Sequence, residues 1–340
     1  MEQKPATIKE IAKQLNISVS TVSRALHDHR SIGLRTKMRV NELAKKLSYE
    51  RNQTAVFFQQ RKTFTIGVIL PELSEAFFSA AISGIEDTAE KNKYTVLLGQ
   101  SHDNEEREKK IAETMKSHRV DGLIISISKN TVNYDHFEML KRCNIPVVFF
   151  DRIPNMSNIH YVACNMASGT VEAINFLFKK GHRVIGMING PDKLFASQER
   201  KQGYIEAVTK SRLKFDPSLI VNSDLTAEGT NKAMEELLLS KRKPTAIVTF
   251  NDYVALDAVK YAQLKKKKIN KDISFVSYAN LPLSQYTTFP PLASVEQFPY
   301  QQGQKATETL LELLQSREES DNAFYKIIID SKLAIHNSKK

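Results

Sequence analysis

Residues 7–26 read TIKEIAKQLNISVSTVSRAL, and this stretch decides the fold of the N-terminal part of the chain. Its apolar residues recur at helical spacing in two runs, residues 8–15 and 19–26. Ser18 stands where a helix N-cap is expected, and only Asn16 and Ile17 separate the runs. Two helices joined so tightly must cross sharply. This pattern predicts a helix-turn-helix, in which the second helix enters a DNA major groove.

A third helix is predicted downstream of this pair, and it closes a small core. Its contributing residues are Met38, Val40, Leu43, Ala44 and Leu47. The outer face of the second helix carries Val19, Ser20, Thr21, Ser23 and Arg24. Hydroxyl groups near a helix start can contact phosphate oxygens, and Arg24 is long enough to reach guanine O6 and N7. The alternative is a small helical domain with ordinary caps and an ordinary surface arginine.

The positive charge of the chain is concentrated at this end. Residues 1–62 hold 13 Lys and Arg against 5 Asp and Glu, a net charge of +8, whereas the other 278 residues carry only +3. A basic end on a nearly neutral body is typical of a protein with a polyanionic partner. A solubilising basic surface is the alternative, but the coincidence with the helix-turn-helix pattern favours double-stranded DNA.

The remaining composition is that of an ordinary globular chain with room for two or three domains. The 340 residues are 41% hydrophobic and include two cysteines, Cys143 and Cys164. Without a Cys-x-x-Cys pair or a ligand cluster, we expect no disulfide scaffold, no metal site and no cofactor. The polar N-terminus and the lack of an apolar run of about 18 residues predict a cytoplasmic protein without a membrane segment.

From Phe64 onward, short apolar runs alternate with amphipathic segments. Nearly continuous apolar strands joined by helical crossovers predict an α/β body of two lobes, each built on a doubly wound parallel sheet. The predicted strands are residues 66–70, 95–98, 122–125, 146–150, 184–188, 246–249, 273–277, 325–329 and 333–335. Ligands of such sheets bind beyond the carboxyl ends of the strands, here in a cleft between the lobes.

The chain carries no recognisable catalytic motif. It has no Gly-x-Gly-x-x-Gly, Walker A or Gly-x-Ser-x-Gly sequence, and its 8 histidines are scattered. Two further classes of protein stay open at this point. One is an α/β enzyme that acts on a sugar or nucleotide-like metabolite and has an appended DNA-binding domain; the other is a pure ligand carrier. The missing motifs argue against the enzyme, and the basic N-terminal part argues against the carrier.

Over essentially its whole length, the chain resembles the LacI/GalR family of bacterial transcription regulators. In the N-terminal part the matching residues are 7–12, 19–26 and Leu47-x-Tyr49-x-x-Asn52. Matches in the body include Val120-Asp121-Gly122, Asp151-Arg152, Gly181-His182-Arg183, Arg200-x-x-Gly203-Tyr204 and Asn251-Asp252. The resemblance implies a repressor whose paired headpieces bind a near-palindromic operator as a homodimer. It also implies a periplasmic-binding-protein-like body that senses a small-molecule effector.

The resemblance also implies a division of the chain. The headpiece is expected at residues 1–50, a hinge helix at 51–63 and the effector-binding and dimerisation body at 64–340. The N-lobe is expected to take residues 64–162 and 294–322, and the C-lobe residues 163–293 and 323–340. No leucine-heptad tail follows the body in this sequence. We therefore expect a dimer rather than a tetramer.

DNA contacts follow from positions in the family pattern. The residues implied to read bases are Val19, Ser20 and Arg24. The residues implied to hold phosphates are Thr7, Ser18, Thr21, Ser23 and Asn52.

The hinge helix departs from the family pattern. Ala55 and Phe58 are the residues implied to contact DNA there, yet Val56 stands in place of an arginine and Arg51 in place of a proline. Phe58 occupies the place of a leucine that wedges between base pairs in the minor groove. Our hypothesis is that Phe58 inserts as the leucine does; docking onto the protein is the alternative.

The effector site is implied at Phe77, Asp151, Arg200 and Asn251, groups that suit a neutral polyol such as a sugar. Three substitutions set this cleft apart from the family pattern: Ala279 for an acidic residue, Leu225 for an aromatic one, and Glu75-Ala76 for Asn-Pro. The loss of a buried acceptor and the loss of a stacking ring each reduce the free energy of ligand binding by about 1–3 kcal/mol. A carbohydrate-related effector is expected. A sugar phosphate or acidic metabolite, a nucleobase-like ligand, a protein co-effector and no effector stay open.

Overall fold

The fold was analysed in a computed structural model, which describes residues 6–49, 62–211, 213–315 and 324–336. The chain divides into two compact units, residues 1–63 and 64–340. Asn52, Ala55 and Phe58, the predicted DNA-contacting residues of the hinge, lie outside the described residues.

In the described part of the first unit, residues 6–49 and 62–63, there are three short helices: α1 (Ile8–Leu15), α2 (Val19–Leu26) and α3 (Leu34–Lys46). A capping box begins α1, because Thr7 Oγ1 accepts from Glu10 N at 3.3 Å and Thr7 N donates to Glu10 Oε2 at 2.7 Å. Asn16 ends α1 in the left-handed conformation, with φ 53°. The predicted helix-turn-helix is thus confirmed.

The core of this unit is small and aliphatic. It consists of Ile11, Ala12, Val22, Ala25, Val40 and Ala44. The prediction that Met38 belongs to it is wrong, since the Met38 side chain is 55% exposed. Two residues along a helix turn the side chain by about 200°, so Met38 faces away from the side on which Val40 is buried.

The second unit is built from twelve strands and eight helices among its described residues. The strands are β1 (Thr65–Leu70), β2 (Thr95–Gln100), β3 (Gly122–Ile125), β4 (Val147–Phe150), β5 (His160–Cys164), β6 (Ile185–Asn189), β7 (Ile220–Asn222), β8 (Ala246–Thr249), β9 (Ser274–Tyr278), β10 (Ala293–Glu296), β11 (Lys326–Ile329) and β12 (Lys332–Ile335). The helices are α4 (Ala76–Lys91), α5 (Glu105–Ser117), α6 (Asp135–Arg142), α7 (Met166–Lys179), α8 (Phe195–Lys210), α9 (Ala227–Leu239), α10 (Asp252–Leu264) and α11 (Pro299–Gln315).

Two six-stranded sheets organise these elements. The first has the spatial order β11-β5-β4-β3-β1-β2 and is parallel throughout. The second has the order β12-β10-β9-β8-β6-β7 and is parallel except for β12, which pairs antiparallel with β10. The α/β architecture of two parallel-sheet lobes is confirmed.

The lobe boundaries differ from the predicted ones at three strands. β5 lies entirely in the first sheet, although the predicted N-lobe ends at residue 162. β10 belongs to the second sheet and β11 to the first, the reverse of the predicted assignment. At each boundary, the chain completes one strand more in its current sheet than the prediction allowed before it crosses to the other sheet. It therefore crosses between lobes at residues 165, 297–298 and 330–331.

Helices α4 and α11 pack at close range on the first sheet. An added Cβ at Gly84 would lie 2.1 Å from the Tyr300 carbonyl oxygen, and one at Gly303 would lie 2.1 Å from the Ala81 carbonyl oxygen. Both obstacles are backbone atoms, which cannot rotate away as a side chain can. The contact holds α11 in place just after the chain crosses at 297–298.

We predict that Gly303→Ala lowers the stability of the second unit by about 1–3 kcal/mol, because the methyl group forces the two helices apart. The measurement is urea unfolding followed by circular dichroism. Gln301→Ala, an exposed position of the same helix, is the matched control. An unchanged midpoint for Gly303→Ala would show that the helices do not need this close approach.

Candidate functional site

The start of α2 presents a cluster of hydroxyl groups. Ser18 is the N-cap, and its Oγ accepts from Thr21 N at 3.1 Å. The same Oγ lies 2.7 Å from Ser20 Oγ and 2.8 Å from Thr21 Oγ1. Hydroxyls beside the free N–H groups of a helix N-terminus form a favourable environment for a phosphate group.

The predicted DNA-contacting residues of α2 share one side of the helix. Val19, Ser20 and Arg24 are exposed, and Thr21 and Ser23 are half-buried. Val22 and Ala25 occupy the opposite side and are buried in the small core. Thr7 lies apart from this set at the start of α1, where its side chain takes part in the capping box. The exposed face thus combines short side chains, which allow close approach, with one long cation.

In the second unit, loops at the carboxyl ends of both sheets face each other across a cleft. Lys129, which follows β3, donates from Nζ to the Asp224 carbonyl oxygen at 3.0 Å, and Asp224 follows β7. The Tyr253 hydroxyl, just after β8, faces the Ala76 backbone and the Glu75 carboxylate, which follow β1. This is the cleft that the parallel sheets predict.

Asp151 lies in this cleft at the end of β4. Its backbone is left-handed, with φ 56°, and Ser126 Oγ donates to its carboxylate at 3.5 Å. Burial raises the pKa of Asp151 above its usual value, and the nearby Arg152 and Arg200 oppose the shift. Arg152 is itself paired with Asp103, at 2.6 Å between Nη1 and Oδ1.

Arg200, on α8, is the most unusual group of the cleft. Its side chain is 2% exposed, and its guanidinium lies 4.0 Å from the centroid of the Phe250 ring and 4.3 Å from that of Tyr278. Burial lowers the pKa of Arg200, and the nearby Tyr278, Asp151 and Cys164, together with a side-chain hydrogen bond with Tyr278, oppose this. Its Nε and Nη1 atoms have no hydrogen-bond partner among the described residues.

Two buried polar groups next to Arg200 were not predicted from the sequence. Asn189 Nδ2 donates to the Ser197 carbonyl oxygen at 2.9 Å, whereas Asn189 Oδ1 and Ser197 Oγ find no partner within the described parts of the chain. Ser197 lies three residues before Arg200 on α8, which places both on one side of the helix. The sequence signal that could have indicated these groups is Asn189, a polar residue at the carboxyl end of an otherwise apolar strand.

The other two predicted effector residues have different surroundings. Asn251 is half-buried at the N-cap of α10, and its side chain accepts from Val254 N at 2.9 Å. Phe77 is 7% exposed and packs edge-on against Phe78, with ring centroids 5.3 Å apart. It lines a cavity of about 430 Å³ together with Ala279 and Phe298, close to a crossing between lobes. Phe77 is therefore a core residue near the hinge.

A buried carboxylate that was not predicted joins three elements at this hinge. Asp252 accepts from Ser277 Oγ, from Ser294 Oγ at 3.0 Å and from Leu281 N at 2.5 Å. These donors belong to β9, to β10 and to the segment between them. Burial raises the pKa of Asp252, and the three hydrogen bonds oppose the shift.

Other kinds of site were also sought. In residues 6–49, 62–211, 213–315 and 324–336, no three His, Cys, Asp or Glu side chains are grouped so that they could hold a metal ion. Over the same ranges, no helix combines the length and the apolar character that a membrane crossing requires.

Sequence comparison assigns both units to one family. Residues 7–52 match the profile of "Bacterial regulatory proteins, lacI family", and residues 63–336 match that of "Periplasmic binding proteins and sugar binding domain of LacI family". The chain belongs to the LacI family. As a member of this family, it is a DNA-binding transcriptional repressor with a periplasmic-binding-protein-like body.

Individual LacI-family relatives extend over nearly the whole chain. The transcriptional repressor CytR of Escherichia coli K12 is 29% identical over 339 residues, which cover 100% of this chain and 98% of that protein. Catabolite control protein A of Priestia megaterium is 30% identical and covers 94% of this chain and 96% of its own. The first is named as a transcriptional repressor and the second as a control protein.

Solved structures of LacI-family proteins show the same fold. The regulator CcpA of Lactococcus lactis has a TM-score of 0.73 at 29% identity, covering 81% of this chain and 99% of its own. The Lac repressor dimer bound to operator and the anti-inducer ONPF has a TM-score of 0.82 over 97% of this chain and 98% of its own. At 22% identity, the second similarity concerns the fold alone.

We predict that Asp151→Asn raises the melting temperature at neutral pH, because burial disfavours the charged carboxylate of Asp151. The folded pKa lies above the unfolded one, so the ionised group lowers stability at high pH. This loss disappears as pH falls through the raised pKa. The advantage of the variant should therefore shrink in acid. Calorimetry across a pH series measures this, with the exposed Glu106→Gln as control. An equal advantage at every pH would contradict the prediction.

Proposed function

We propose that this repressor binds a near-palindromic operator as a homodimer, and that a small effector in the interlobe cleft controls this binding. The observation that carries the proposal is the pairing of two features in one chain. An exposed α2 face bears Ser18, Ser20 and Arg24, and the walls of the cleft contain buried polar atoms that have no partner in the described structure.

DNA recognition is assigned to one face of the headpiece. Val19, Ser20 and Arg24 read base edges, because they are exposed on the side of α2 that points away from the core. Thr7, Ser18, Thr21 and Ser23 hold phosphates. Asn52, Ala55 and Phe58 complete the contact through the hinge, with Phe58 inserted in the minor groove. The +8 charge of residues 1–62 supplies the salt-dependent part of the affinity.

Dimerisation is assigned in part to the free edge of the first sheet. β2 is the terminal strand of that sheet, and Leu97 and Leu98 are 36% and 37% exposed. An uncovered edge strand with exposed leucines invites pairing with another chain. A second copy of this protein covers it in our proposal, which brings two headpieces to one palindrome.

Effector binding is assigned to Asp151 from the first lobe and to Arg200 and Asn251 from the second. Groups from both lobes converge on the space between them, so that a ligand there favours a closed arrangement of the lobes. We infer that the ligand is released unchanged, because the relatives named above are regulators and the sequence carries no catalytic motif.

We predict that Arg24→Ala relaxes sequence preference at the base pair that Arg24 contacts and weakens specific DNA binding about 10- to 150-fold, as expected for the loss of a bidentate base contact. DNA selected by the wild-type protein from a random pool serves as the operator for gel-shift titration. Arg39→Ala removes an equal charge from the exposed face of α3 and is the matched control. If both variants lose affinity equally on all sequences, Arg24 contributes charge alone.

We predict that Leu98→Glu shifts the protein from dimer to monomer, because in the proposed dimer the second copy would bury the new carboxylate against β2. Analytical ultracentrifugation measures the shift, and operator affinity should fall with it. Leu239→Glu alters a leucine that is 78% exposed at the end of α9 and should leave the dimer intact. A dimer that survives Leu98→Glu would place the interface elsewhere.

A further inference from the structure

We propose that the ligand of the cleft carries an anionic group, a carboxylate or a phosphate, which pairs with Arg200. This inference rests on the proposed function, because it names the chemical class of the ligand for that same cleft. It departs from the neutral sugar that the polar residues of the cleft suggest when they are considered from the sequence alone.

The first observation is that two donor atoms of the Arg200 guanidinium have no acceptor within the described residues, although the group also has a side-chain hydrogen bond with Tyr278. The side chain is 2% exposed, and both Nε and Nη1 are without acceptors in the described ranges of the chain. No carboxylate in those ranges lies within 4.0 Å of it. A guanidinium buried in this way is costly unless it meets an anion with matching geometry. The Nε hydrogen lies on the side of Nη2, so Nε and Nη1 point in different directions, and each is free to donate a separate charge-assisted hydrogen bond to an anionic ligand.

The second observation is that the other cations of the cleft are already satisfied. Arg152 Nη1 lies 2.6 Å from Asp103 Oδ1. Lys129 Nζ lies 3.8 Å from Asp103 Oδ2 and donates to the Asp224 carbonyl oxygen. Among these three cations, Arg200 is therefore the one left to receive an anion from outside the chain.

The third observation concerns the residue that follows Tyr278. The Tyr278 ring stacks on the guanidinium, and the next residue is Ala279, where the family pattern has an acid. The chain therefore supplies no internal counter-ion at that position. A ligand that brings its own negative charge replaces the missing carboxylate.

The remaining polar groups near Arg200 indicate the chemistry of the rest of the ligand. Ser197 Oγ and Asn189 Oδ1 are buried and open to hydrogen bonding near Arg200, and Asp151 approaches from the opposite lobe. Asp151 repels a negative charge but accepts from hydroxyl groups. The anionic group thus lies against Arg200, with hydroxyls toward Asp151. A sugar acid or a sugar phosphate has this chemistry.

The test measures melting temperature of the full-length protein with sodium phosphate or sodium acetate, against sodium chloride at equal ionic strength. We expect phosphate or acetate to raise the wild-type melting temperature by several degrees beyond chloride, and Arg200→Gln to remove that rise. Arg183→Gln, which removes an exposed arginine, should retain it. No anion-specific rise, or the same rise in Arg200→Gln, would overturn the proposal.

A second variant tests the proposal even if Arg200→Gln does not fold normally. Arg200→Met removes the buried charge and its two unpaired donor atoms and keeps an apolar stem between the two rings, so it should melt at a higher temperature than wild type in chloride alone. A lower melting temperature would indicate a structural role and overturn the proposal.

Calorimetric titrations then separate this inference from the proposed function. Ribose is compared with ribose 5-phosphate, and glucose with gluconate; preference for phosphate or for carboxylate identifies the group. We expect each anionic member to bind at least tenfold more tightly than its neutral partner. Equal or better binding of ribose or glucose, lost in Arg200→Gln, would overturn the anionic class and leave the cleft as the effector site. Anion binding that leaves operator affinity unchanged would instead contradict the proposed control of DNA binding.

Discussion

The body of this repressor depends on three crossings of the chain between its two sheets. The first and third lie side by side, since Ser331 Oγ donates to the Asn165 carbonyl oxygen at 2.9 Å and Asn165 N donates to the Ile329 carbonyl oxygen at 2.8 Å. The second is anchored by Gln302, whose Nε2 donates to the Gln297 carbonyl oxygen at 2.8 Å. Most buried residues cluster within one lobe, but Ala279 and Leu281, which follow β9, pack in a first-lobe cluster, and Cys164 of β5 packs in a second-lobe cluster. Bending at the crossings can therefore keep most of the packing of each lobe and must adjust these few shared contacts. Such an arrangement permits rigid-body closure of the cleft.

Much of the fold could be predicted because its signals are local. The turn between α1 and α2 follows from Asn16, which tolerates the left-handed conformation, and from Ser18, which caps the next helix. Long runs of apolar residues predicted the central strands of both sheets. The strands at residues 160–164, 220–222 and 293–296 were not predicted, because they are short and contain polar residues. They are stabilised by pairing with strands that are distant in the sequence, and no local pattern reports that pairing.

The site was less predictable than the fold. The family pattern pointed to Asp151 and Arg200, and the structure places both at the cleft. The family pattern could not show that Nε and Nη1 of Arg200 have no acceptor within the described residues, because that depends on which groups lie close to them in space. Asn189 and Ser197 were missed for the same reason, since an unsatisfied atom is defined by its surroundings. Unpaired buried groups lower stability, and proteins keep them where a ligand completes the set.

In the proposed function, the relative position of the two lobes governs DNA binding by the headpiece. A direct test joins Lys129→Cys and Asp224→Cys with a short bis-maleimide, in a Cys143→Ser background; the thiol of the buried Cys164 has its pKa raised to about 12 and should not react. The measurement is operator affinity of the cross-linked protein against both single-cysteine variants treated with the same reagent. We predict that the operator affinity of the cross-linked protein differs at least tenfold from that of either single-cysteine variant. Equal affinities would show that the headpiece binds DNA independently of the cleft.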